Sequence, residues 1–299
     1  MLRIKDIQIR DPFILTLKEE GRYVLYGTTD KHCWSGKATG FNAYTSVDLK
    51  RWRGPHKAFR PPKNFWADRN FWAPEVHRHG GRFFMFASFK SADAARGTQV
   101  LVSDRPEGPF RRHSPFPVTP QGWECLDGTL HVDARGRPWM VFCHEWVQIG
   151  DGAICAMPLS DDLTTALAPP QVLFSASSAP WTVEARWNDG TTGKITDGPF
   201  LHRTAAGVLV MLWSSLCKTG YALAVARSDG GLLGPWHQQD RPLFGEDGGH
   251  GMLFRTFAGD LRLAIHRPNA PAGAERPVFL AVQETADGLE LASRPDALA

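Results

Sequence analysis

A fivefold internal repeat constrains this chain more than any other feature of its sequence. Five segments share one shape: an apolar run, a turn centred on glycine, and a second apolar run. The first joins Asp11-Pro12-Phe13-Ile14 through Gly21 to Tyr23-Val24-Leu25-Tyr26. The second joins Ala73-Pro74-Glu75-Val76 through Gly81 to Phe83-Phe84-Met85-Phe86. The other three start at Asp127, Asp197 and His250 and turn at Gly136, Gly207 and Gly259. From start to turn glycine the distances are 10, 8, 9, 10 and 9 residues, a regularity that chance does not supply. In four units a third run ends in a serine followed closely by an aspartate, as in Ser46-Val47-Asp48, Ser103-Asp104, Ser160-Asp161 and Ser228-Asp229. A fourth, outer strand fits around Trp52, Phe110, Val172–Phe174 and Trp236.

Starts at 11, 73, 127, 197 and 250 lie 62, 54, 70 and 53 residues apart. Four strands of about 5–6 residues with their loops fill such a period. Repeated four-stranded antiparallel sheets around an axis are the blades of a propeller, so the expected fold is an all-β, five-bladed β-propeller in one domain over 1–299. The segment Leu2–Ile9 is expected to pair with the last blade and close the ring, because an open ring would expose strand edges. Apolar runs at helical spacing are almost absent. Leu159–Leu167 has room for one helical turn.

Composition narrows the function. The formal charge of +3 comes from 34 Lys+Arg against 31 Asp+Glu, scattered rather than clustered, which gives no support for a nucleic-acid groove. No apolar run approaches the ~18 residues of a membrane span. The opening Met1–Ile7 alternates and carries charge, unlike a signal-peptide core, so the chain as given is expected to be cytoplasmic unless a leader was removed. Five cysteines at 33, 125, 143, 155 and 217 form neither a metal-ligand spacing nor an even disulfide set. They are expected to be small buried hydrophobes.

The propeller places the polar residues. The first strand of each blade lines the channel, and its start and the end of the second strand share one face. Asp11, Asp127, Asp197 and His250 therefore meet at one mouth. Around it stand the strand ends Thr28–Asp30, Ser88–Lys90, His144–Trp146, Ser214-Ser215 and His266–Asn269. A single Asp before Gly or Pro is ordinarily a turn residue, and a lone His a satisfied core residue. Three carboxylates converging beside an axis are different, since like charges at short range destabilise one another. At this mouth Trp146, Trp72 and Trp34 could stack on sugar faces, while His144, Glu145, Glu75 and Arg267 could bond hydroxyls. Glu75 could equally be a buried structural carboxylate. Trp52, Trp236 and Phe110 are expected to pack between blades.

The phased phrases Arg10-Asp11-Pro12-Phe13-Ile14, Trp72-Ala73-Pro74-Glu75-Val76, Asp127-Gly128, Asp197-Gly198-Pro199-Phe200 and Gly249-His250-Gly251 resemble glycoside hydrolase family 43. The resemblance spans about residues 10–284. It implies an inverting, five-bladed glycosidase acting on arabinosides, xylosides or some galactosides, with oligosaccharide as the partner. It further implies that Asp11 is the general base, that Asp127 orients the acid and raises its pKa, and that no cofactor is required. His250 would hold a calcium ion in the channel, through water. The family's acid is usually the Glu of a Glu-Gly-Pro phrase, where this chain has Asp197, one methylene shorter. Asp197 is the first candidate acid, with Glu145 and Glu184 as alternatives. The leading expectation is release of terminal or branching arabinofuranosyl or xylosyl residues from plant-type oligosaccharides. An exo-acting β-1,3-galactosidase and a non-hydrolytic sugar-binding propeller stand as alternatives. The Asn-Asp-Pro start of the related sucrose- and fructan-cleaving propellers is absent.

Overall fold

The computed structural model describes residues 1–187 and 189–292. It is a five-bladed β-propeller whose innermost strands are Arg10–Leu17, Arg69–His79, Cys125–Val132, Asp197–Arg203 and Gly249–Arg255. Each continues outward through antiparallel neighbours in chain order, giving four sheets of four strands and a first blade of five. Third strands end at Ser46, Ser103, Pro158 and Ser228 in blades 1 to 4. In the turns that follow, a serine hydroxyl accepts backbone N–H groups: Ser46 from Asp48 and Leu49, Ser228 from Gly230. That is why the Ser-Asp phrase recurs at these corners.

Adjacent sheets bury aromatic and aliphatic layers between them. The outer aromatics bridge neighbouring blades: Trp52 lies 6.3 Å from Phe279, Phe110 6.4 Å from Tyr26, and Trp236 6.2 Å from Phe174. Cys33, Cys125, Cys143 and Cys155 are buried free thiols, and Cys217 is free and partly buried. No described helix is long and apolar enough to cross a membrane.

Two expectations are corrected. The segment Leu159–Leu167 forms no helix: an antiparallel bridge between Leu159 and Ala166 closes a turn in which the Leu163 N–H donates to the Ser160 carbonyl at 2.8 Å. One α-helical turn forms instead at Trp146–Ile149, closed by Gly150 donating to the Trp146 carbonyl at 2.7 Å. Nor does the N-terminal segment complete the last blade, which takes its own fourth strand from Leu289–Leu291. Leu2–Arg3 instead covers the outer edge of blade 1, pairing with Trp52 and Arg51. With both outer edges supplied locally, the ring closes through side chains. Arg10 makes a buried ion pair with Glu275 at 2.9 Å and donates to the Asn269 carbonyl and side chain at 2.9 and 2.7 Å. One backbone bond, from Ile9 to the Glu275 carbonyl at 3.3 Å, adds to it.

This closure has a measurable consequence. The side chain of Glu275 is 0% exposed and that of Arg10 6%, so removing one partner strands a charge in the interior. Glu275→Ala is expected to cost about 3–5 kcal/mol in a urea titration. A loss below about 1 kcal/mol would show that the ring closes by packing alone.

Candidate active site

Each innermost strand starts with a bulge. The pairing register slips between Arg10 and Phe13, Trp72 and Glu75, Leu126 and Thr129, Asp197 and Phe200, and Gly249 and Met252. A residue with positive φ sits in every slip: Asp11 (52°), Ala73 (44°), Asp127 (55°), Gly198 (55°) and His250 (45°). Left-handed backbone is rare for non-glycine residues and is held by its surroundings. At Gly198 an added Cβ would lie 2.7 Å from the His250 ring, so glycine is required there on two counts.

The bulge corrects the repeat register. Asp11 and Asp127 occupy the positive-φ position, whereas Asp197 stands one residue earlier, equivalent to Arg10, Trp72, Leu126 and Gly249. The three aspartates converge but are not structurally equivalent. A signal for this lies in the sequence: aligned on the proline, the phrases Asp11-Pro12, Ala73-Pro74 and Gly198-Pro199 put Gly198, not Asp197, in register with Asp11.

A cavity of about 640 Å³ opens at this mouth, with Asp11, Asp127, Asp197 and His250 in its lining. The Nδ1 atom of His250 lies 3.3 Å from Asp11 Oδ1 and 3.6 Å from Asp127 Oδ2. Thr28 donates to Asp11 Oδ2 at 2.6 Å, and Tyr221 donates to Asp197 Oδ2 at 2.8 Å. The Asp127 Oδ2 atom accepts the Gly198 N–H at 3.0 Å.

These surroundings separate the acidities. For Asp11, burial pushes upward, but His250, His266, Arg10 and the Thr28 hydroxyl outweigh it and hold the group below the usual carboxylate range. Burial foremost, with the Asp11 charge next, raises Asp127 well above that range, although the Gly198 amide opposes the shift. Burial and then the Asp127 charge push Asp197 up to about 7, against His250 and Tyr221. Burial and the Arg10 charge bring His266 down to about 3. A neutral His266 ring can accept the Asp11 N–H at Nδ1, 3.1 Å away.

The other candidate residues divide. Trp72, Glu145 and Trp146 line the cavity, but Glu145 is buried against the Arg96 guanidinium, which also lies 4.1 Å over the Trp72 ring. Glu75 falls one layer deeper, bonded by Thr129 and 3.2 Å from His77, outside the cavity lining. The cause is position along the strand: Glu75 stands two residues past the positive-φ Ala73 and meets Thr129, two residues past Asp127, one layer below the mouth. His144 is also outside, stacked on Trp123 at 4.1 Å and 2.8 Å from Gln148 Oε1. Arg267 pairs with Glu246 at 3.2 Å on the rim. Glu184 is exposed and absent from the lining.

A calcium ion takes six to eight oxygen ligands, so one held at His250 through water would draw most of them from solvent. Among the described residues no group of three or more His, Cys, Asp or Glu side chains is arranged to hold a metal. The Nδ1 atom of His250 faces two carboxylates instead.

Tyr221, Arg96 and Trp187 escape sequence reasoning because no phrase marks them, and His266 is reached only as a strand end beside the mouth. Trp187 projects from a hairpin of Ala185–Arg186 and Thr192–Gly193 between blades 3 and 4. It stacks on Trp146 at 5.8 Å and meets Trp34 of blade 1 at 6.3 Å. In a five-membered ring the junction of blades 3 and 4 lies opposite blade 1, so this contact spans the face. Trp34 in turn meets Trp72 at 4.9 Å.

Comparison with known proteins places these features in context. The sequence model described as "Glycosyl hydrolases family 43" matches residues 4–288. The structure is similar to an endo-arabinase from Bacteroides thetaiotaomicron, at 39% identity and a TM-score of 0.90, covering 96% of this chain and 99% of that one. An α-L-arabinanase from Cellvibrio cellulosa, solved with arabinohexaose, shares the fold at 20% identity and a TM-score of 0.68, with 96% of each chain covered. Xylosidase/arabinosidase 43A from Humicola insolens is 30% identical over 81 residues, a stretch spanning 27% of this chain and 24% of that relative.

Proposed function

The chain belongs to glycosyl hydrolases family 43, and from that premise we propose that it cleaves arabinofuranosyl or xylosyl residues from plant-type oligosaccharides with inversion at the anomeric carbon. The observation that carries this reading is the convergence of three carboxylates from three blades on one cavity, in surroundings that hold their acidities apart. Asp11 is held ionised, while Asp127 and Asp197 are both pushed upward. Pairs of groups driven apart in this way mark acid and base.

In this reading Asp11 takes a proton from a water molecule as that water attacks the anomeric carbon. Asp197 gives its proton to the departing glycosidic oxygen from the opposite face. Inversion needs acid and base about 6.5–9.5 Å apart, with room for the water. Asp127 and Asp197 titrate as a coupled pair. The Gly198 N–H on Asp127 Oδ2 favours a negative charge there, and in this reading the pair's proton is the one Asp197 delivers to the departing oxygen. Tyr221 occupies one Asp197 oxygen, so the other is free to carry the proton toward substrate.

Similarity to an endo-arabinase over 96% of this chain supports arabinose-containing substrates. The contact of Trp34 with Trp187 across the mouth supports recognition of a chain end or branch, because a roofed site hinders a polymer running through it. The same 39% identity favours, as a second reading, attack within an arabinan chain. Aryl glycosides of arabinofuranose, xylose and galactose, followed by NMR of the first-formed anomer, test the proposal. Inverted arabinose or xylose is expected. Retention would overturn the mechanism, and exclusive galactoside cleavage the substrate class. With linear arabino-oligosaccharides, monosaccharide as the first product supports the chain-end reading and internal fragments the second.

A further inference from the structure

The bulges carry a second regularity, and one blade breaks it. Each positive-φ residue turns its backbone N–H toward the preceding blade, where the end of the second strand supplies an acceptor. Asp11 donates to His266 Nδ1 at 3.1 Å, Ala73 to Thr28 Oγ1 at 2.8 Å, Asp127 to Ser88 Oγ at 2.9 Å and His250 to Ser214 Oγ at 2.9 Å. All four acceptors hold one register position, opposite the residue that precedes the bulge, in the pairs Gly249–His266, Arg10–Thr28, Trp72–Ser88 and Asp197–Ser214. The fifth pair is Leu126–Cys143. There the acceptor is a buried thiol, and the N–H it would receive, that of Gly198, goes instead to Asp127 Oδ2 at 3.0 Å.

We infer that Cys143 is a positioning residue, which withholds a hydroxyl acceptor from the Gly198 N–H and so leaves that N–H to hold the Asp127 carboxylate beside Asp197. A buried N–H must find a partner. Thiol sulfur is a weak acceptor and a carboxylate a strong one, so the competition is decided for Asp127. Asp127 is then gripped at both ends, its own N–H by Ser88 and its Oδ2 by Gly198. A serine in place of Cys143 would restore the acceptor found in the other blades. The freed Asp127, facing Asp11, Glu75, Glu145, Asp197 and His250, would then take the pair's proton and leave Asp197 ionised.

The inference rests on the proposed roles of Asp127 and Asp197, and its test is arranged to fail separately from them. Cys143→Ser, one atom changed and slightly smaller, is assayed on a substrate with a poor leaving group. Its kcat is expected to fall about tenfold to a hundredfold, as for loss of a hydrogen bond to a charged group, with KM little moved. The alkaline limb should move to lower pH, because Asp197 then ionises earlier. A general loss of packing would lower thermal stability without moving that limb. Cys143→Ala removes the sulfur without adding an oxygen and should keep the limb where the wild type has it. If Cys143→Ser shows wild-type kcat and limb, or if Cys143→Ala shifts the limb, the inference is overturned. If Cys143→Ser does not fold, Cys143→Thr, which supplies the hydroxyl that Thr28 offers at the equivalent position, is read by the same criterion. Failure of the acid assignment itself would appear in Asp197→Ala, whatever Cys143 does.

Discussion

Asp11→Asn is expected to reduce turnover by about 10²–10⁴-fold while sugar binding survives. The amide has the shape of the carboxylate but cannot accept the water's proton. Asparagine also tolerates left-handed backbone, so the φ of 52° at this position is not a confounding source of strain. The Thr28 hydroxyl that donates to Asp11 Oδ2 at 2.6 Å can reverse and accept from the amide. Calorimetric binding of a substrate oligosaccharide, beside turnover on an aryl glycoside, separates the two effects. Activity above about a tenth of wild type would mean that Asp11 is not the base. Binding lost together with activity would mean that its charge anchors the sugar.

Asp197→Ala should produce the second large effect, one that depends on the substrate. A glycoside with a poor leaving group needs its oxygen protonated and should slow by about 10²–10⁴-fold. An aryl glycoside of a strongly acidic phenol departs unaided and should be nearly spared. The pH profile gives an independent readout. Burial and the Asp127 charge push Asp197 up to about 7, so the proton-bearing form persists below that pH and disappears above it. Wild-type activity should therefore decline through an alkaline limb near 7, and Asp197→Ala should lack that limb. Glu145→Gln and Glu184→Gln are the comparisons, one tied to Arg96 and the other exposed. Leaving-group dependence in either of these, and not in Asp197→Ala, would move the acid there. Its absence from all three, with no aryl glycoside cleaved by the wild type, would favour a sugar-binding propeller.

Much of this protein is determined by its sequence alone. Apolar runs and turn glycines at near-constant spacing specify five units that cannot bury their faces singly, and a ring of blades is how they bury them together. Starts read at 11, 73, 127, 197 and 250 fall within the observed innermost strands, because period-2 patterning and turn residues are local properties. Tertiary structure decided what is not local. A bulge adds one residue, and nothing in the apolar pattern reveals which residue takes the positive φ. Asp197 therefore looked equivalent to Asp11 yet stands one place before it, where Tyr221 reaches it. Glu75, His144 and Arg267 lie near the mouth in sequence, but depth along the strand, stacking on Trp123 and an ion pair with Glu246 keep them out of the cavity. Leu2–Arg3 pairs on the edge of blade 1, while Leu289–Leu291 fills the edge of the last sheet. Strand partners, bond acceptors and burial are set by distant chain segments brought together. For that reason the carboxylates were legible in the sequence and the different acidities of those carboxylates were not.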